Sequence, residues 1–170
     1  MTAAEIITYM ESLRNEEQRT ILMRFFKTAP GQYGYGDQFL GIKVPQTREV
    51  VRHCDDLPLA EVPILLHSPW HEVRLCGFLI LVARFEALCK KRLMAAEESV
   101  CQRDEIVLIY LTHARQANNW DLVDLSCYEL LGDWLLDKDR SILYELARNG
   151  RTIWEQRIGI VSCMQFIRHG

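Results

Sequence analysis

The chain has 170 residues, of which 49% are hydrophobic, and a formal net charge of −3. That length and apolar fraction suffice for one domain with a sizeable core, and the mild acidity argues against a nonspecific nucleic-acid binder, which needs a basic surface to neutralise phosphates. The longest apolar run, Cys76 to Ala83, is too short to cross a bilayer, and the N-terminus carries Glu5 and Glu11 rather than a basic region followed by a long apolar one. A cytoplasmic protein without membrane contact is expected.

Six cysteines, at positions 54, 76, 89, 101, 127 and 163, form no CxxC pair, so reduced thiols are expected rather than a disulfide framework. Cys76 and Cys163, in apolar helical stretches, suit small buried hydrophobes. The five histidines are equally scattered, and Ser68-Pro69 interrupts the turn between His67 and His71. No metal ion and no cofactor are expected.

Charge is unevenly distributed. Residues 97–139 hold ten acids against three bases, whereas residues 43–92 hold eight bases against six acids and residues 140–170 five bases against two acids. A basic face must therefore be assembled from chosen helix ends.

Apolar residues at Ile6, Ile7, Met10 and Leu13 have the three-and-four spacing of an amphipathic helix over Ala3–Leu13. Asn15, with Gln18 three residues on, resembles a capping box without its hydroxyl and starts a second helix that carries Ile21, Leu22, Phe25 and Phe26 and ends before Pro30. The two are expected to pair antiparallel. Residues 29–45 follow as a long stretch with four glycines, Tyr33 and Tyr35, lacking any phosphate-cradling GxGxxG or GK[ST] pattern. They read either as a functional loop or as one pinned to the core by Phe39 and Leu40.

Further helices are expected over Pro45–His53, Leu59–Leu66, Trp70–Phe85, Ala87–Val100, Asp104–Gln116, Asn119–Leu136, Ser141–Arg148 and Thr152–Arg168. The Trp70–Phe85 segment is apolar on nearly every side and reads as the central buried helix. No alternating run supports a strand. The expected fold is all-α: a single α-solenoid domain over residues 1–170, built of antiparallel helix pairs of HEAT or armadillo type, inferred from helix length and short connections rather than from self-similarity. The chain ends without a polar capping helix, so truncation at the C-terminus is expected.

Asn118-Asn119-Trp120-Asp121-Leu122-Val123-Asp124 concentrates more chemistry than any other stretch. Asn118 or Asn119 can cap a helix, and Asp121 in the first turn favours the positive end of its dipole. Trp120 and Asp124, four apart, share one face. The residues alone allow a capped core helix with a packing Trp, or a surface that presents an indole and a carboxylate together. Trp154 and Arg157, three apart, likewise suit either core packing with an ion pair to Glu155 or another acid, or contact with a deoxyribose and its phosphate.

Four stretches in order, Asp37-Gln38-Phe39-Leu40-Gly41-Ile42-Lys43-Val44-Pro45, Ser68-Pro69-Trp70-His71-Glu72-Val73-Arg74, Asn118 to Ser126, and Trp154-Glu155-Gln156-Arg157, resemble the AlkD-type DNA alkylation repair family. The resemblance covers essentially the whole chain. It implies a HEAT-like DNA glycosylase that removes positively charged alkylated purines, such as 3-methyladenine and 7-methylguanine, in base excision repair. Its partner would be double-stranded DNA containing such lesions, bound by a monomer.

Carried over by motif, Asp124 is similar to the family's catalytic acid, Trp120 to the aromatic against the lesion's sugar, and Arg157 to the arginine on the DNA backbone. Trp154, Lys43 and Arg48 are assigned to DNA contact beside it. The family's second sugar-facing tryptophan has no counterpart in these residues, leaving the expected cleft short of one wall. The alternative is a HEAT-like scaffold that binds DNA or a protein partner without catalysis.

Overall fold

Thr2 opens the first helix by accepting a hydrogen bond from the Glu5 N–H at 3.3 Å, while the Glu5 carboxylate accepts from the Thr2 N–H at 2.7 Å. This reciprocal capping box satisfies two orphan donors and launches α1, Ala3–Ser12. Asn15 caps α2, Glu16–Phe25, by accepting from the Gln18 N–H at 2.8 Å. The computed structural model describes residues 1–90 and 93–169. Among them the chain is helical, with one isolated bridge between Gln38 and Trp70 and no strand. The chain falls into two compact units, Met1–Ile80 and Leu81–Gly170.

In the first unit α1 and α2 are followed by α3 (Val44–Val51), a 3₁₀ turn (Leu59–Glu61), α4 (Val62–Leu66) and the start of α5 (His71–Leu88). The all-round apolar pattern of α5 predicts burial, and residues 71–82 are buried without a break. Its first turn also carries three polar side chains, His71, Glu72 and Arg74, each no more than 5% exposed. Burying such groups costs several kcal/mol unless each is bonded, roughly 1–3 per orphaned neutral group and more for a charge.

Their partners are the glycine-rich stretch. The Glu72 carboxylate accepts from the N–H groups of Leu40, Gly41 and Ile42 at 2.9, 2.8 and 3.1 Å. Asp37 bonds His71 Nδ1 at 2.8 Å and accepts from the Arg74 guanidinium at 2.5 Å, and Arg74 also donates to the carbonyls of Ser68 and Pro69. His71 stacks on Phe39 with 4.3 Å between ring centroids. Burial pushes the Asp37 carboxyl up, but the His71 bond, its charge and the Arg74 guanidinium outweigh that and hold it below the usual aspartate value. Gly41 is obligatory here: its φ is +89°, and a Cβ would sit 2.1 Å from the Asn15 carbonyl oxygen. The stretch is thus pinned to the core through buried charges, with Phe39 and Leu40 at 0% exposure.

The second unit contains the end of α5, then α6 (Glu97–Thr112), a 3₁₀ turn (Ala114–Gln116), α7 (Trp120–Asp124), a π-helical turn (Tyr128–Gly132), α8 (Ser141–Asn149), α9 (Ile153–Val161) and α10 (Met164–His169). α8 and α9 form its tightest pair. Gly159 permits the close crossing, because a Cβ there would lie 2.7 Å from the Leu143 carbonyl oxygen and 2.8 Å from the Ala147 nitrogen.

Several expected boundaries shift, each for a local reason. A helix over Ala87–Val100 is not present: α5 stops at Leu88, residues 93–95 turn, and α6 starts at Glu97, while Lys91 and Arg92 lie outside the described residues. Arg103 donates to the carbonyl of Leu88 at 3.0 Å, satisfying an acceptor that the terminating helix leaves open, and to that of Met94 in the following turn at 2.9 Å. The expected helices Asn119–Leu136 and Thr152–Arg168 are both broken. Ser126 Oγ donates to the Leu122 carbonyl at 2.6 Å, and Ser162 Oγ to the Ile158 carbonyl at 2.7 Å. Such back-bonding from a serine competes with the helical ladder and bends it. α1 packs on α4, and no residue of α2 is buried.

Cys54, Cys76 and Cys127 are buried free thiols, whereas Cys163 is half-buried. No disulfide joins the described cysteines. No helix among the described residues is long and apolar enough to cross a membrane.

Candidate active site

Asn119, fully buried, accepts from the Trp120 N–H at 2.9 Å and starts α7. Helical spacing then dictates the pattern. Asp121, Leu122 and Val123 turn into the core, and Trp120 and Asp124 stay half-buried at the surface of the unit. The back-bond from Ser126 ends α7 immediately after Asp124, so its carboxylate stands at a helix end followed within four residues by a π-helical turn. π-turns interrupt the regular ladder and recur at functional sites.

The second half of the site is built on α9. Thr152 and Glu155 form its capping box, with Thr152 Oγ1 accepting from the Glu155 N–H at 3.1 Å and the Glu155 carboxylate accepting from the Thr152 N–H at 3.0 Å. Arg115, beyond α6, donates to the same carboxylate at 3.1 Å. Burial pushes the Glu155 carboxyl up, but the Arg115 bond and the backbone donors prevail and lower it. With Glu155 committed to this anchor, Arg157 is left to another acid.

That acid is Asp124. Arg157 Nε donates to Oδ1 at 2.7 Å and an Nη to Oδ2 at 2.6 Å, a two-point fork between α9 and α7. Fork geometry makes such pairs stronger and more directional than a lysine contact. The Asp124 hydrogen bond pushes Arg157 above its ordinary value, against a smaller opposing effect of burial. The side chains remain 41% (Arg157) and 29% (Asp124) exposed, so the pair is reachable from solvent.

The floor beneath is neutral. Burial pushes the Cys127 thiol up to about 12, with the Asp124 charge adding to the shift and the Ser162 hydroxyl opposing it. Cys127 therefore stays protonated and is no nucleophile. Tyr110, fully buried, is also pushed up, by burial first and then by the neighbouring Cys127 and Asp124. Asp124 stands beside these neutral side chains, and among the described residues its one ion-pair partner is Arg157.

The fork joins two of the four sequence stretches singled out above, just as the Asp37 and Glu72 bonds join the other two. Trp154, half-buried, lies one turn before Arg157 on α9. Lys43 and Arg48 are exposed on α3 and at its cap in the first unit, where the Gln46 side chain accepts from the Lys43 N–H at 3.0 Å. Sequence reading did not single out Arg115, Tyr110 or Cys127. Only the Thr152-x-x-Glu155 box carried a legible signal for the anchor. No group of three metal-binding side chains occurs among the described residues.

Helical carriers, a solvent-reachable carboxylate held by an arginine, and an indole one turn away define a helical protein with one acidic centre. The whole-chain comparison places it: residues 6–170 match the family model described as DNA alkylation repair enzyme. The chain belongs to that family, whose substrate is DNA. No curated protein and no solved structure matches it.

Proposed function

We propose that the protein is a monofunctional DNA glycosylase that excises cationic alkylpurines, 3-methyladenine and 7-methylguanine among them, from duplex DNA through Asp124. The observation that carries this reading is the solvent-reachable Asp124–Arg157 fork with Trp120 one turn away. An N3- or N7-alkylated purine already bears positive charge. When its C1′–N bond breaks, the bonding pair leaves with the base, which departs neutral and needs no general acid.

Positive charge then develops on the deoxyribose. A carboxylate about 4 Å away at a surface-like effective dielectric stabilises it by roughly 4 kcal/mol. Each carboxylate oxygen has two lone pairs, and the Arg157 fork occupies one on each, leaving acceptor capacity for a water. That water attacks C1′ and transfers its proton to Asp124 and on to solvent. Arg157 orients the carboxylate through its two-point fork, and its remaining N–H donors suit a DNA phosphate. Trp120 offers the electron-rich face of its indole to the cationic sugar. Trp154, Lys43 and Arg48 serve as further DNA contacts, within a fold of HEAT-like helix pairs acting as a monomer in base excision repair in the cytoplasm.

Release of 7-methylguanine from methylated duplex DNA tests the assignment. Asp124→Asn keeps the side-chain shape and removes the charge, and should slow release by roughly 10²–10³-fold, the usual cost of a lost preorganised electrostatic contact. Undiminished release by that variant sinks the proposal. The closed fork also suits a non-catalytic scaffold that binds DNA or a protein, for which the wild-type chain releases no base.

A further inference from the structure

The end of α2 and the loop after it present a surface that no core contact explains. None of the residues of α2 is buried, and Ile21 and Phe25, one turn apart, are 54% and 58% exposed. Residues 18–36 contain three bases and no acid. Arg19 is held by Glu16 and the Phe39 carbonyl, whereas Arg24 and Lys27 are exposed and enter no ion pair with a described residue.

Lys27 stands at the position after the helix cap with φ +56°, the left-handed conformation that glycine normally occupies there. A side chain at such a position is strained, and strain of this kind clusters at functional sites. The loop is folded back beside it: the Gly34 N–H donates to the Lys27 carbonyl at 3.0 Å, and bonds from Gln32 to Ala29, Tyr35 to Gln32 and Asp37 to Gly34 close the remainder. Tyr33 and Tyr35, which flank Gly34, are 50% and 67% exposed. A preorganised loop thus sets two tyrosines next to an uncompensated lysine and the last turn of α2.

We propose that Arg24, Lys27, Tyr33 and Tyr35 form a DNA-gripping surface, in which the two cations neutralise backbone phosphates and the rings pack on sugar and base faces. Charge complementarity selects the occupant, since the exposed cations Arg24 and Lys27, which no acid of a described residue neutralises, suit a polyanion, and aromatic rings beside them suit nucleic acid rather than a simple anion. The inference rests on DNA as the partner but not on the chemistry at Asp124.

Fluorescence anisotropy with labelled, undamaged duplex DNA across a salt series tests it. Lys27→Gly should weaken binding several-fold and reduce the magnitude of the log–log salt slope by about 0.9, one phosphate contact, while leaving the thermal midpoint equal or higher because the strain is relieved. Arg24→Ala should show the same loss of slope, and Tyr33→Ala/Tyr35→Ala a loss of affinity at unchanged slope. Unchanged slope and affinity in both cation variants overturns the proposal, as does a lowered midpoint in Lys27→Gly, which makes the lysine part of the fold. Self-association abolished by these substitutions with DNA affinity intact assigns the surface to a second copy and also overturns it. Binding that responds as described in a protein that releases no base counts against the glycosylase reading alone. Base release with an unaltered salt slope in Lys27→Gly counts against this surface alone.

Discussion

Replacing Glu72 by glutamine should show how much of the fold depends on one buried carboxylate. Glu72 is 2% exposed and accepts three backbone N–H bonds, two on Oε1 from Gly41 and Ile42 and one on Oε2 from Leu40. A hydrogen bond to a charged acceptor contributes about 1.5–3 kcal/mol, and one to a neutral acceptor about 0.5–1.5. In Glu72→Gln the amide oxygen can retain the first two at the lower strength. The amide nitrogen then faces the Leu40 N–H, donor against donor, and that bond is lost. Set against this, the variant no longer desolvates a charge, which places the net loss near 3 kcal/mol, a large part of the ~5–15 typical of a folded chain. Urea unfolding followed by far-UV circular dichroism reads it directly. With a slope of about 1–3 kcal/mol per molar, the midpoint should fall by roughly 1–3 M with the slope preserved. A loss under about 1 kcal/mol would falsify the view that Glu72 organises residues 40–42, because those N–H groups would then have found other acceptors.

Two further outcomes follow from the same packing. Asp37 has a folded-state value below the ordinary 3.8, so its contribution is complete above that pH and is lost as pH falls through the lower folded value. The stability gap between wild type and Asp37→Asn, about 3–5 kcal/mol for a broken buried ion pair, should therefore close in acid, and a gap that stays constant down the acid titration contradicts the assignment. Gly159→Ala drives a Cβ into two backbone atoms of α8, neither of which can rotate away. A cost of about 1–3 kcal/mol is expected for such overpacking, seen as a lower thermal midpoint, and an unchanged midpoint would mean that α8 and α9 separate freely.

The buried latch changes what the first two family-like stretches mean. Their residues face one another: Asp37 bonds His71 and Arg74, and Glu72 bonds the backbone from Leu40 to Ile42. They hold the first unit together and set the start of α3, which Lys43 precedes and whose last turn carries Arg48. The other two stretches meet through the Asp124–Arg157 fork, which is open to solvent. Equal weight in the sequence therefore divides into a buried structural pair and a solvent-accessible one.

Periodicity and capping chemistry are local properties, and they were legible. Helix content, the burial of α5, the cap at Asn15, a cap at Asn118 or Asn119, and the sharing of one face by Trp120 and Asp124 all follow from spacing along one helix. The resemblance of four stretches identified the family that the whole-chain match establishes. Tertiary contacts decided the remainder. The breaks at Ser126 and Ser162 depend on a hydroxyl choosing a carbonyl one turn back over solvent or a neighbour, and the end of α5 depends on Arg103, fifteen residues beyond Leu88. Which acid Arg157 takes could not be read from its helix, because Glu155 is nearer in sequence but already committed to Thr152 and Arg115. Spacing along a chain specifies which side chains share a face, whereas the pairing of charges thirty or more residues apart is selected only when packing brings their helices together.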